Sequence, residues 1–126
     1  IDITKESFFE GVKLVKVGNY LNKVSAAIQD YVESNGYGVV RDYVGHGIGR
    51  DMHEDPEIPN YRTGRPGPKL VKGMTLAIEP MVTVGTYKVH TLPNRWTVVT
   101  NDGSDSAHYE NTVLVTENEP ELLTLV

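Results

Sequence analysis

Cysteine is absent from the 126 residues. That excludes disulfides and thiolate metal sites, so any metal bound here is held by imidazole and carboxylate. Histidine is scarce, with four copies at positions 46, 53, 90 and 108. No apolar run approaches the roughly 20 residues that span a bilayer, and the first residues show no secretory or transit pattern. Positive charge is outnumbered: 12 Lys and Arg stand against 17 Asp and Glu, a formal net charge of -5. Nucleic acid and anionic membrane both repel an acidic surface, so neither is an expected partner, and the cytoplasm is the expected compartment. Hydrophobic residues make up 39% of the chain, which suits one globular domain with a modest core. The chain opens on Ile1 rather than Met, so a processed, cleaved or partial product is expected.

Two helical patterns come first. Phe8, Val12 and Val15 recur at four-then-three spacing and predict a helix over 7–17 with Thr4 as its cap. Leu21, Val24, Ile28, Tyr31 and Val32 form one stripe and predict a second helix over 20–34, stopped by Asn35-Gly36. From Tyr37 the period changes. Residues 38–44 read as a strand, followed by a glycine-rich turn at Gly45-His46-Gly47-Ile48-Gly49. Residues 53–74 are rich in Pro, Gly and charge and read as an extended loop, long enough to suggest a function. The remainder is mostly β: a strand over 74–84 interrupted by Pro80, then strands over 96–100 and 108–116 joined as a hairpin by the turn-rich 101–106. Residues 120–126 form a short terminal segment. Helices followed by strands predict an α+β fold, with helices packed on an antiparallel sheet.

Three residues carry candidate chemistry. His46 lies between glycines, which let backbone approach a ligand and expose the imidazole, and His53 follows seven residues later. Glu79 interrupts the apolar run Leu76-Ala77-Ile78-Glu79-Pro80-Met81-Val82, where a carboxylate is costly unless paired or metal-bound. Pro80 beside it removes a ladder donor. Glu110 opens a strand and by alternation shares a face with Thr112 and Leu114. One imidazole with two carboxylates suits Mn, Fe, Co or Zn. Spacing alone leaves convergence open, since 33 residues separate His46 from Glu79 and 31 separate Glu79 from Glu110.

These blocks closely resemble the type I methionine aminopeptidases. The matching stretches are GHGIGRDMHEDPEIPNY (45–61), GMTLAIEPMV (73–82), WTVVTNDGSDSAHYENTVLVTE (96–117) and, more weakly, SAAIQDYVESNGY (25–37). The resemblance extends over essentially the whole chain. Type II enzymes carry a large insertion for which there is no room, and proline-specific relatives differ around the His-Gly-Ile-Gly and Glu-Pro-Met blocks.

The resemblance implies a pseudo-symmetric pita-bread fold of two halves, of which residues 1–126 would be the C-terminal one. It implies two divalent metal ions (Co, Mn, Fe or Zn) between the halves. His46, Glu79 and Glu110 would be ligands, with Glu110 bridging both ions. Glu79 would also handle the protons of an attacking water, and His53 would contact the substrate carbonyl. Trp96 would wall the methionine pocket, with Met52 standing where the family often has an aromatic residue. The substrates would be nascent chains and peptides that begin with Met.

Two aspartate ligands and a further histidine belong to the family's N-terminal half, the expected partner. None of Asp2, Asp30 or Asp42 sits in the matching context, so none is assigned to the metal. The chain is then either one segment of a larger enzyme or an isolated fragment without activity. An open sheet edge predicts that it pairs with its counterpart or with a second copy. Competing readings are a non-catalytic binding module of the same fold and an X-Pro aminopeptidase. Retention of all three ligands counts against the binding module.

Overall fold

A computed structural model describes residues 1–125. Helix α1 spans Asp2–Val12 and α2 spans Leu21–Ser34. Ten short strands follow: β1 (Gly38–Val39), β2 (Gly45–Ile48), β3 (Glu54–Ile58), β4 (Thr75–Ile78), β5 (Met81–Thr83), β6 (Val89–Thr91), β7 (Val98–Thr100), β8 (Ser106–His108), β9 (Asn111–Leu114) and β10 (Glu121–Leu122). They build a five-stranded sheet in the order β10-β9-β4-β2-β3, a three-stranded sheet β1-β5-β8 and a two-stranded ribbon β6-β7. Every pairing is antiparallel. The α+β expectation therefore holds.

The two helices pack closely because Gly11 leaves space: a Cβ there would lie 2.7 Å from Cγ1 of Ile28. Phe8 and Val12 of α1 and Leu21, Val24, Ile28 and Val32 of α2 are buried. They form one core with Ile58, Leu76, Ile78, Val113 and Val115 from the large sheet. Leu76 and Ile78 alternate along β4, so that face of the sheet belongs to the helices and the opposite face is left for Ala77 and the residues beside it.

Four sequence expectations need correction. Helix α1 begins five residues early, and Thr4 is buried inside it rather than capping it, since Thr4 and Ser7 share the face of Phe8. The strand expected over 38–44 is only the two residues of β1. The supposed glycine turn at 45–49 contains β2, a strand between β3 and β4. A Cβ on Gly45 would lie 2.1 Å from the Ala77 carbonyl oxygen, and one on Gly47 would lie 2.2 Å from that of Asp55. These glycines admit neighbouring backbone and do not turn the chain. The long 53–74 loop contains β3 for the same reason, because β2 offers it a partner.

The C-terminal hairpin is also rearranged. β7 pairs with β6, and β8 intervenes to pair with β5, so residues 96–100 and 108–116 are not partners. The break at Pro80 is where expected: β4 ends at Ile78 and β5 resumes at Met81 in a different sheet. The terminal segment supplies β10 at the sheet edge; Val126 lies outside the described residues. No helix among the described residues is long and apolar enough to cross a membrane.

Replacing Gly45 with Ala forces β2 away from β4, against backbone that cannot rotate aside. Gly45→Ala is expected to lower unfolding stability by about 1–3 kcal/mol, the usual cost of overpacking. Urea unfolding measures it, and an unchanged midpoint would show that β2 is not packed as described.

Candidate metal centre

The large sheet assembles the candidate residues by register. In β2 the glycines occupy the crowded positions, which leaves His46 opposite Ala77 of β4. Ala77 in turn pairs with Thr112 of β9, and Ile78 pairs with Asn111. The next residue along each strand is Glu79 on one and Glu110 on the other. Antiparallel pairing thus brings the end of β4 beside the start of β9, so both carboxylates meet on the face away from the helices. The small Ala77 side chain leaves that face open.

The three groups converge. One ligand atom from each of His46, Glu79 and Glu110 can be chosen so that all lie within 4.8 Å of one another. His46 Nε2 is 3.4 Å from Glu79 Oε1, and both side chains are only 16% exposed. His46 Nδ1 lies 3.0 Å from the Gly47 carbonyl oxygen. That contact places a proton on Nδ1, which donates to the carbonyl, and in the neutral ring the Nε2 lone pair then faces Glu79. The His53 ring lies 4.0 Å from that of His46, centroid to centroid.

Burial pushes the Glu79 carboxyl above its ordinary range, and the negative charge of Glu110 pushes it further; His46 and His108 oppose both. A second carboxylate and, in the neutral ring, an imidazole lone pair beside a buried carboxylate make a set of acceptors that outnumbers the donors facing it. A divalent cation satisfies that set, and the nitrogen and oxygen donors suit first-row ions.

The backbone at Glu79 is fixed from behind. Pro80 has no N–H, and the chain leaves one sheet for the other here. The fully buried Asn60 donates its Nδ2 hydrogen to the Glu79 carbonyl oxygen at 3.3 Å. Asn60 drew no notice in the sequence, since its role depends on a fold contact 19 residues away. His108 is the other omission. Its Nε2 is 3.4 Å from Glu79 Oε2 and 3.6 Å from Glu110 Oε2. The signal was available, because His108 is two residues before Glu110 in an extended stretch and so shares its face.

Two cavities adjoin the cluster, and both are lined by His46, His53 and Glu79. One, of about 580 Å³, is walled largely by Val40, Tyr43, Val44, Met81, Val98 and Val99. The other, of about 530 Å³, is more polar and includes Arg50, Asp51, Met52 and Glu110. A larger cavity of about 760 Å³ lies between the start of α1 and strands β5 and β8 and contains no histidine.

Two expected pocket residues are placed differently. Trp96 is 85% exposed and lines neither cavity at the cluster. It sits in the turn closed by Leu92 and Thr97, beyond the β6–β7 ladder, while Val98 and Val99 of that ribbon reach the apolar wall. Met52 is 73% exposed and lines the polar cavity rather than the apolar one.

Residues 1–117 match metallopeptidase family M24. The chain is 68% identical over 127 aligned positions to the methionine aminopeptidase of Clostridium acetobutylicum, covering 99% of this chain and 50% of that protein. It is 62% identical to the methionine aminopeptidase of Clostridium perfringens, covering all of this chain and 51% of that one. The crystal structure of methionine aminopeptidase from Thermotoga maritima superposes with a TM-score of 0.94 at 54% identity, over 98% of this chain and 50% of the other. The chain therefore spans about half the length of the curated relatives it matches, and its α+β architecture is that of one half of their pita-bread structure. A match over nearly every residue, in sequence and in backbone alike, carries one conclusion: the chain belongs to metallopeptidase family M24.

Proposed function

We propose that this chain is the C-terminal half of the catalytic domain of a methionine aminopeptidase, which removes the initiator methionine from nascent proteins and peptides in the cytoplasm. The observation that carries the reading is the convergence of His46, Glu79 and Glu110 beside an apolar cavity. Family membership supplies the metal dependence in general form. On the finer reading, His46, Glu79 and Glu110 would be this chain's residues that hold two divalent ions, with Glu110 serving both. The N-terminal half of the same enzyme would supply two aspartates and another histidine. Co, Mn, Fe and Zn all suit such donors, and availability selects among them.

When bound, such ions acidify a water toward neutral pKa and polarise the scissile carbonyl. The chain's own residues account for the rest. Glu79, whose carboxylate stands at the centre of the cluster and lines both cavities, is suited to accept and return a proton. His53, stacked at the edge of the cluster, faces both cavities and is suited to donate to the substrate's developing oxyanion. The valines, Tyr43 and Met81 of the apolar cavity suit an unbranched thioether side chain. The nearby carboxylates favour a free ammonium end over a blocked one.

A release assay on the full-length enzyme with Mn(II) or Co(II) tests the reading. Methionine should leave a Met-Gly peptide, chelator should abolish release, and added metal should restore it. Cleavage confined to X-Pro peptides would transfer the chain to the proline-specific branch, and metal binding without any cleavage would favour a binding module. Glu79→Gln should lower turnover by about 10²–10⁴-fold, the range for loss of a general acid–base group.

Glu79 also makes a prediction in the metal-free protein. Its folded-state pKa lies above the unfolded value, so the folded state binds the proton more tightly. Stability is then expected to fall as pH rises from the ordinary carboxylate range through the raised value. Denaturant midpoints measured across that interval should show the fall in the native sequence and a flatter profile in Glu79→Gln; parallel profiles would refute it.

A further inference from the structure

His108 is assigned no role by the site described above, yet its position is closely determined. It pairs with Met81 across the β5–β8 ladder, and the next backbone N–H, that of Tyr109, donates to the Pro80 carbonyl oxygen at 3.2 Å. The imidazole is thereby held against the segment that follows Glu79, two residues before Glu110. Its Nε2 meets Oε2 of both, at 3.4 and 3.6 Å, while the other oxygen of Glu79 faces His46. The two oxygens of Glu79 are therefore divided between two imidazoles. His46, with Nδ1 donating to Gly47, presents a lone pair in its neutral form. His108 faces two carboxylate oxygens, which calls for a proton on Nε2.

We propose that His108 is a positioning residue that shares one N–H between Glu79 and Glu110, reserving Glu79 Oε1 for the metal and holding the two carboxylates at a fixed separation. The inference deepens the metal reading above and rests on it. One Nε2–H directed between the two oxygens spans both contacts, neither of which is short enough to take the hydrogen for itself. Groups that orient metal ligands in this way typically govern affinity by about 10–100-fold. The half-exposed His108 contributes little to the core, so its replacement tests positioning rather than folding.

The test is Co(II) binding by the full-length enzyme, followed by calorimetry and by visible absorption, for the native protein, His108→Gln and His108→Ala. Gln keeps an N–H donor of comparable reach. His108→Ala should weaken Co(II) binding by about 10–100-fold and shift the absorption bands, with the number of ions bound unchanged and His108→Gln close to native. Native-like affinity and spectrum in His108→Ala would overturn the proposal, as would equal weakening by both variants. Loss of one bound ion in His108→Ala would make His108 a ligand and would also overturn it. A native protein that binds no Co(II) would instead sink the metal reading itself. Circular dichroism of each variant confirms that the comparison is between folded proteins.

Discussion

The close approach of β2 to its two neighbours is the constraint on which the rest of the structure depends. Gly45 and Gly47 have backbone oxygens of Ala77 and Asp55 where side chains would otherwise stand. This keeps β2 within the large sheet, flanked by β3 and β4. Once it is there, alternation leaves His46 no choice of face. The helices then cover the opposite side through Leu76, Ile78 and Val113, so the apolar core and the polar cluster are two sides of one sheet. Moving β2 outward would loosen the core and scatter the cluster in the same step.

Within that frame the electrostatics disfavour an ionised Glu79. Glu79 is largely buried, near a second carboxylate and opposite an imidazole lone pair. Burial of an unpaired charge is unfavourable, and like charges side by side add to the penalty. Such a cluster persists because the surrounding sheet fixes it, and the same rigidity lets a cation bind without reorganising its donors. Asn60 behind Glu79 belongs to this support, since it satisfies a carbonyl oxygen near the break at Pro80.

Much of this was legible in the residues, and the exceptions share a cause. The α2 stripe gave its helix to within a residue, because amphipathic periodicity is local. Glu79 betrayed itself by lying in an apolar run, and the alternation of Glu110 with Thr112 and Leu114 agrees with the burial along β9. The Gly-His-Gly-Ile stretch was misread because glycine has two uses, turning and admitting backbone, and only the neighbours 31 residues on distinguish them. β3 was hidden by the same error. The exchange of partners among β5, β6, β7 and β8 depends on contacts between sheets that no local pattern records. Trp96 stands exposed in the turn beyond the β6–β7 ladder, a placement that likewise follows from strand pairing and not from local pattern.

The order of strands also has a temporal side. β2, β4 and β9 are adjacent in space but distant in sequence, so the segments bearing His46, Glu79 and Glu110 are joined only by closing two loops of about thirty residues. Each closure is entropically unfavourable and is compensated only when the strand finds its partner. The helix pair forms from neighbouring residues and needs neither loop. The three donors of this chain therefore meet only after β9 has docked against β4. A chain that has gathered all three groups has already joined β2, β4 and β9.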